Sequence, residues 1–491
     1  MKVVGITAEY DPMHTGHIYH LGEARAVSTA DFVVAVMSGD FTQRGEPALL
    51  DKWTRAKIAA ENGIDLVLEL PFAYACNSAE YFAYGAMEIM KRLGVVTHVA
   101  FGAESQNLQQ LQEIAALLRA EIEMPEAGSC GSTDMLEAPE AGKVAVYREA
   151  LRRELAAGRS FAAARGAAIG ECLGPAAGTA AAAPNNLLAI EYLKFAGDMT
   201  PVLIPRTAPH HADTAATADA APSDTAGDAA SADTTVANST ALPESAGAIR
   251  RAIFGGLVGA DTADKPDIPA ILENAPIPEN TRSAILAAAS ADIVARAEDS
   301  GFGMLGNKER FYDMLMSKLL TMTADGLAHI FSVTEGMENR ILDARRRCSD
   351  MESLIEAVKT KRYPYTSISR MLMHTLVGFE KMDLRAAAQA GDSAGNNNNL
   401  YGHILAASAN GRKLLRILKD DPHCTLPLFG TVERDQAEAG AALSRAEGEN
   451  PAAFAKHLLA LDIRAADLYN QATGRDLYRE SDYVKHPFMG A

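Results

Sequence analysis

Residues Gly5–Leu21 read GITAEYDPMHTGHIYHL. The apolar run Val3–Ala8 that leads into them has the length and β-branched content of a buried strand, and it ends at an acidic, proline-containing loop. A helix is expected to start near Thr15–Gly16, with the Thr15 hydroxyl accepting an orphan backbone N–H. His14 and His17 stand three apart, so at a helix start they face one side. Gly16 between them carries no side chain and lets an anion approach the backbone. The helix start adds partial positive charge and free N–H donors. Two imidazoles there can donate to phosphate oxygens as charge develops. Transfer at phosphorus asks for little beyond positioning and charge stabilisation. An isolated HxxH pattern has two other readings, polar histidines on an exposed helix and zinc ligands. A glycine at the helix start and no nearby third ligand weigh against zinc, and the preceding strand favours phosphate.

Outward from this stretch, Phe32–Met37, Leu66–Leu70 and Val95–Phe101 read as further buried strands. Helical spacing separates them in Gly16–Ser28, Lys52–Asn62 and Ala79–Leu93. Such alternation predicts a parallel α/β sheet with right-handed crossovers. Ligands of such sheets sit beyond the carboxyl ends of the strands, here the loops Glu9–Gly16, Ser38–Pro47 and Gly102–Ser105. Residues 107–200 read as mostly helical, with loose segments at Pro125–Gly142 and Gly174–Pro184, before a strand at Pro201–Ile204.

From about Asp213 to Glu244 the chain is almost wholly Ala, Asp, Thr, Ser, Gly and Pro. It cannot bury enough surface to offset its ordering entropy. The expected organisation is therefore a nucleotide-binding α/β unit at 1–206, a disordered insertion at 207–247 and a mostly helical region at 248–386. A flexible linker at 387–399 and a small α/β part at 400–491 follow. In that last part strands are expected at Tyr401–Ala407 and Leu426–Gly430, with helices at Gly411–Lys419 and Pro451–Thr473.

The apolar share of 48% suits a globular core, and no stretch approaches the roughly 18 uninterrupted apolar residues of a membrane helix. The start of the chain lacks the pattern of a secretory signal, and five scattered cysteines form no zinc-type or disulfide framework, so a cytoplasmic setting is expected. A net charge of −17 argues against indiscriminate adhesion to nucleic acid. Residues 207–249 hold six of the acidic groups and no Lys or Arg, however, and basic groups cluster elsewhere. They are Arg345–Arg347, then Lys359, Lys361 and Arg362, then Arg412, Lys413, Arg416 and Lys419. A localised RNA contact is therefore allowed.

The opening resembles the HxGH nucleotidyltransferase superfamily, whose Rossmann-like parallel sheet binds nucleotides. SGDFTQRGEPALLDKWTRAKIAAENGIDLVLELPFAYACNSAEYFAYGA, VAFGAES, SFAAARGAA, PNNLLAIEYLKF, TKRYPYTSISRMLMHTLVGF and YGHILAASANGRKLL extend the likeness over most of the chain. Together they are similar to the bacterial tRNA(Met) cytidine acetate ligases. That resemblance implies activation of acetate by ATP, release of pyrophosphate, and transfer of the acetyl group to the wobble cytidine of elongator tRNA(Met), giving N4-acetylcytidine. It implies His14 and His17 as catalytic groups. It also implies an ATP site of Thr7, Ala8, Glu9, Tyr10, Asp11, Pro12, Met13, His14, Thr15, Gly16, His17, Ile18, Tyr19 and His20, with Gly102, Asn185, Asn186 and Arg206. Magnesium normally accompanies ATP in such sites.

Either asparagine can instead cap the helix after Pro184. Gly102 also reads as a strand-to-loop turn, and Arg206 as a surface residue. Asp40, Gln43 and Arg44, with Lys361, Arg362 and Arg370, are candidates for substrate or tRNA contact, and Trp53 is expected in packing. Another HxGH nucleotidyltransferase acting on a small phosphorylated substrate, and a non-catalytic ATP- or RNA-binding protein, are the alternative readings. Asp11, Met13 and Thr15 depart from the asparagine, phenylalanine and asparagine usual in the family. Ser245-Ala246-Gly247-Ala248-Ile249-Arg250 and His210-His211-Ala212-Asp213 are further departures. A carboxylate at Asp11 would repel a triphosphate unless magnesium or a basic group lies between.

Overall fold

A computed structural model describes residues 1–123, 138–205, 245–258, 268–273, 275–297, 304–334, 336–381, 383, 400–432 and 451–490. Arg206, residues 207–244 of the expected 207–247 insertion and the linker at 387–399 lie outside the described residues. Ala246 and Gly247, expected in the disordered insertion, begin the helix Ala246–Val258.

Five strands are parallel: β1 (Val3–Ala8), β2 (Phe32–Ser38), β3 (Leu66–Leu70), β4 (His98–Ala103) and β5 (Thr200–Pro205). With β6 (Gly402–Ala407), β7 (Leu428–Phe429) and β8 (Phe488–Met489) they form one sheet in the order β5-β4-β1-β2-β3-β6-β7, β8 pairing with β6. Successive residues feed opposite faces, as the two-residue repeat of a strand requires. Val34, Val36, Leu66 and Leu68 enter one core, while Val33, Ala35 and Val67 enter the other. With both faces covered, the inner strands are apolar throughout rather than alternating. Strand order reverses at β1, which lies between β4 and β2, so the crevice beyond its carboxyl end is the expected ligand position.

Three further expectations change. Gly174–Pro184, read as loose, contains the helix Pro175–Ala182, with proline at its first turn and alanines that favour helix. Its Gly178 packs closely on the helix Phe161–Leu173, where a Cβ would lie 2.8 Å from the Gly166 carbonyl oxygen. The segment Pro125–Gly142 likewise ends in helix, since Ala138–Ala156 begins within it. The 400–491 part does not stand apart. β6 runs antiparallel to β3, Leu66 opposite Ala407, and extends the nucleotide-type sheet. In the long helix Pro451–Ala472, Asp462 accepts the Phe72 N–H at 2.7 Å and fastens that helix to the segment after β3.

Candidate functional site

Arg55, on the helix Lys52–Glu61, fixes the crevice from below. Its Nε donates to the Leu50 carbonyl at 2.9 Å, and its Nη1 donates to those of Glu9 at 2.6 Å and Ser38 at 3.2 Å. Its Nη2 donates to Gly39. One buried guanidinium thus holds together the chain leaving β1 and the chain leaving β2. Composition and motif gave no signal for this role.

The helix Thr15–Ser28 is capped by His14, not by Thr15 as expected. His14 Nδ1 accepts the Gly16 N–H at 3.0 Å, and His17 Nδ1 accepts the His14 N–H at 3.3 Å, which makes a reciprocal capping box. The rings stack with centroids 3.9 Å apart, and Tyr10 meets the His17 ring edge-on at 5.1 Å. Because each Nδ1 is an acceptor, the proton of each neutral imidazole resides on Nε2. A Cβ at Gly16 would lie 2.8 Å from His14 Cε1, so this residue must be glycine for the ring to occupy its place. The free N–H donors expected at the helix start are partly engaged. Thr15 donates to the Pro276 carbonyl at 2.7 Å and Gly16 to His14. The donors that suit an anion here are therefore imidazole Nε2–H groups, reinforced by the helix dipole.

Around them, Ala8, Tyr10, Pro12 and Met13 are buried beneath the loop, whereas Thr15, Gly16 and Tyr19 are exposed. Thr7, Glu9, Ile18 and His20 are half-buried, and Thr7 hydrogen-bonds Tyr192. Burial raises the Glu9 carboxyl above its usual range, and its Oε1 accepts the Gln43 N–H at 2.7 Å. Asp11 accepts the Leu49 N–H at 2.6 Å and pairs with Arg250 at 2.7 Å. The basic group that a carboxylate beside a triphosphate requires is therefore supplied by the helix Ala246–Val258.

Gly102 lies within β4 opposite Ile204, not in a turn. Neither asparagine caps the helix Pro184–Phe195, whose cap residue is Ala183. Instead Asn186 Oδ1 accepts the N–H groups of Glu104 and Ser105, both at 2.9 Å, and Asn185 Nδ2 donates to Glu104 Oε1 at 2.8 Å. Both asparagines thereby shape the loop at the carboxyl end of β4.

Asp40 is turned inward, 6% exposed, its Oδ1 accepting the Lys52 N–H at 2.8 Å. The substrate contact expected of it gives way to this interior role. Gln43 is half-buried beside Glu9; Arg44, Lys361 and Arg362 are exposed. Arg370 reaches Gln43 from the helix Tyr365–Val377. Trp53 packs as expected and donates to Asp482 Oδ1 at 3.2 Å.

Beneath the Gly39–Pro47 loop lies a buried charge cluster that sequence reasoning missed. Glu69, His403 and Asp482 bring ligand-type atoms within 4.8 Å of one another, as at a metal centre. The ammonium of Lys52 occupies that position, 2.8 Å from Glu69 Oε1 and 2.6 Å from Asp482 Oδ2. The cation of the cluster is thus a side chain.

The model of the HIGH Nucleotidyl Transferase family matches residues 1–482. The tRNA(Met) cytidine acetate ligase of Syntrophomonas wolfei is 33% identical, with the whole of both chains covered. The chain belongs to the tRNA(Met) cytidine acetate ligase family. Another family member, from Acetivibrio thermocellus, is 32% identical over 85% of this chain and 86% of its own. The crystal structure of Thermotoga maritima TmcAL bound with alpha-thio ATP is similar with a TM-score of 0.72 and 25% identity. That likeness covers 100% of this chain and 99% of that one. The apo form of the Thermotoga maritima protein is similar with a TM-score of 0.74. In this chain the paired histidines stand at the helix start that follows β1, where the strand order reverses. Among the described residues no helix is long and apolar enough to cross a membrane.

Proposed function

We propose that this chain is an ATP-dependent ligase that activates acetate and passes the acetyl group to the wobble cytidine of elongator tRNA(Met). The observation that carries the reading is the pair of stacked imidazoles, each with Nδ1 turned to the backbone, at a helix start beyond the switch strand. The family's full-length likeness, and the ATP analogue held by a structural relative, support it.

In the first half-reaction a carboxylate oxygen of acetate attacks the α-phosphorus of ATP. The new O–P bond gives acetyl-adenylate, and the bond to the β-phosphate breaks to release pyrophosphate. Nε2–H donors of His14 and His17 stabilise the negative charge that grows on the phosphate oxygens. Gly16 leaves room for His14, and the fixed Glu9–Met13 loop holds both rings at the crevice. In the second half-reaction the N4 amine of cytidine attacks the acetyl carbonyl, AMP departs, and the amine loses a proton to give N4-acetylcytidine.

Thr7, Thr15, Gly102, Asn185 and Arg206 are the further groups assigned to the nucleotide. Asn186 acts through the loop it holds. Magnesium would enter on the triphosphate. Asp11 is committed to Arg250 and Leu49, and Glu9 to Gln43, so these carboxylates do not make a ready cage for a resident ion. Exposed Lys361 and Arg362 suit the RNA backbone, and ATP and tRNA place the reaction in the cytoplasm.

The test combines the protein with ATP, labelled acetate and unmodified elongator tRNA(Met), following pyrophosphate release and label on RNA. Both signals, each dependent on acetate, are expected. Acetate-dependent pyrophosphate without labelled RNA would overturn the acceptor, and ATP binding without turnover would overturn the enzyme.

A further inference from the structure

We propose that Arg370 binds the carboxylate of the acid substrate, an assignment that rests on the acetate-activating reading above. The helix Tyr365–Val377 lies directly on the loop that follows β2. Ser369 Oγ donates to the Gly45 carbonyl at 2.7 Å, and a Cβ on Gly45, whose φ is +74°, would collide with the backbone N of Arg370. From this position Arg370 Nη1 donates to the Gln43 carbonyl at 3.1 Å, with Nη2 3.5 Å from Ser367 Oγ. Gln43 in turn donates its N–H to Glu9 Oε1 at 2.7 Å. A single residue therefore separates the guanidinium from the loop that carries His14 and His17.

These partners of Arg370 are neutral. Three other half-buried arginines face carboxylates: Arg250 meets Asp11 at 2.7 Å, Arg475 meets Asp51 at 3.0 Å, and Arg165 meets Glu191 at 2.6 Å. Arg55 instead places its N–H groups on four carbonyls. Arg370 has neither arrangement among the described residues. The groups that meet it directly bring no compensating charge. Burial pushes the Cys76 thiol up to about 12, so it stays protonated at neutral pH. His374, one turn along the helix, is pushed down to about 3 by burial and lies between Cys76 O at 2.6 Å and Ser332 Oγ at 2.9 Å. Glu9 Oε1 is turned to the Gln43 N–H, so Gln43 stands between that carboxylate and the guanidinium.

A guanidinium partly drawn from water without an anion costs free energy, and this partial burial lowers its pKa below the usual arginine value. An arriving anion relieves that cost, and the planar fork of arginine matches a carboxylate. The partial cover that the loop gives half-buried Arg370 favours a small acid over the backbone of an RNA, for which exposed Lys361 and Arg362 are better disposed. Of the substrates in the proposed reaction, acetate is the small carboxylate.

Acetate-dependent exchange of labelled pyrophosphate into ATP tests this in the full chain, comparing wild type with Arg370→Lys and Arg370→Ala. Arg370→Ala is expected to raise KM for acetate at least about tenfold while KM for ATP stays within about twofold. Arg370→Lys should fall between, and added guanidinium ion should partly restore Arg370→Ala. An unchanged KM for acetate in folded Arg370→Lys and Arg370→Ala overturns the assignment, as does a defect confined to KM for tRNA. Wild type without any acetate-dependent exchange overturns the activity and this assignment together.

Discussion

Arg250 Nη1 lies 2.7 Å from Asp11 Oδ2, and the same guanidinium donates to the Pro47 carbonyl at 3.2 Å. The helix Ala246–Val258 is thereby tied to both loops of the crevice, and the charge of Asp11 is offset where a triphosphate would meet it. Burial works against the Arg250 cation, but Asp11 and Glu46 outweigh it and raise its pKa. Arg250→Met should leave Asp11 uncompensated, raising KM for ATP by about tenfold or more. Asp11→Asn added to that variant should recover most of the loss, since an amide repels no phosphate. ATP titrations of the two single variants and the double variant check this; equal KM values for Arg250→Met and the double variant would refute charge compensation.

The two imidazoles combine a structural task on Nδ1 with a chemical one on Nε2, and substitutions can separate them. His14→Asn keeps a side-chain acceptor for the Gly16 N–H but supplies no Nε2–H. Its stability should stay within about 1 kcal/mol of wild type, the usual scale of a cap, while adenylate formation falls by roughly a hundredfold or more. His17→Ala should likewise abolish activation in a folded chain. Single-turnover pyrophosphate release and thermal melts measure the two effects; near-normal release from folded His17→Ala would remove the histidines from the chemistry.

Asp40 gives a pH test. Burial is the largest influence on its carboxyl and pushes it up to about 7, against the opposing pull of Lys52 and Arg55. A pKa higher in the folded chain than in the unfolded one means that folding favours the protonated form. The associated stability is fully present below about 3.8 and is lost as pH rises through about 7. Asparagine at this position keeps the Lys52 N–H acceptor and never ionises. Asp40→Asn should therefore gain on wild type between pH 4 and 7, read from urea midpoints at pH 5 and 8. A gap identical at both values would contradict a raised carboxyl.

The strands Val3–Ala8, Phe32–Ser38 and Leu66–Leu70 were legible because residues buried on both faces leave short apolar runs, whatever the remainder of the chain does. The histidine pair was legible because its spacing and glycine are local. Hidden features depend on distant partners. Arg55 reads as one more helical cation until four carbonyls converge on it. His14 displaces Thr15 as the cap through a ring geometry that spacing alone does not reveal. β6 reads as an isolated strand, since no pattern within Gly402–Ala407 names β3 as its neighbour. The alanines of Pro175–Ala182 suggested looseness, yet small residues permit the close helix contact at Gly178.

The cluster around Lys52 shows how that unexpected closure is held. Lys52 Nζ lies 2.8 Å from Glu69 at the end of β3 and 2.6 Å from Asp482 near the C-terminal end. His403, from β6, meets Glu69 Oε2 at 2.6 Å. Burial opposes ionisation of Glu69, yet Lys52 and His403 bring its pKa down to about 2. That lowered pKa gives stability present above about 4.5 and lost as pH falls toward 2. Lys52→Met leaves buried carboxylates without their cation, a change that costs about 3–5 kcal/mol. The deficit should be widest near pH 7 and should shrink toward pH 4, where the stranded carboxylates of the variant take up protons. Adding Glu69→Gln should recover part of it at pH 7. Urea unfolding at the two pH values measures both effects. A deficit independent of pH would mean that Lys52 acts by filling space, and β6 would then owe its attachment to apolar packing and strand pairing alone.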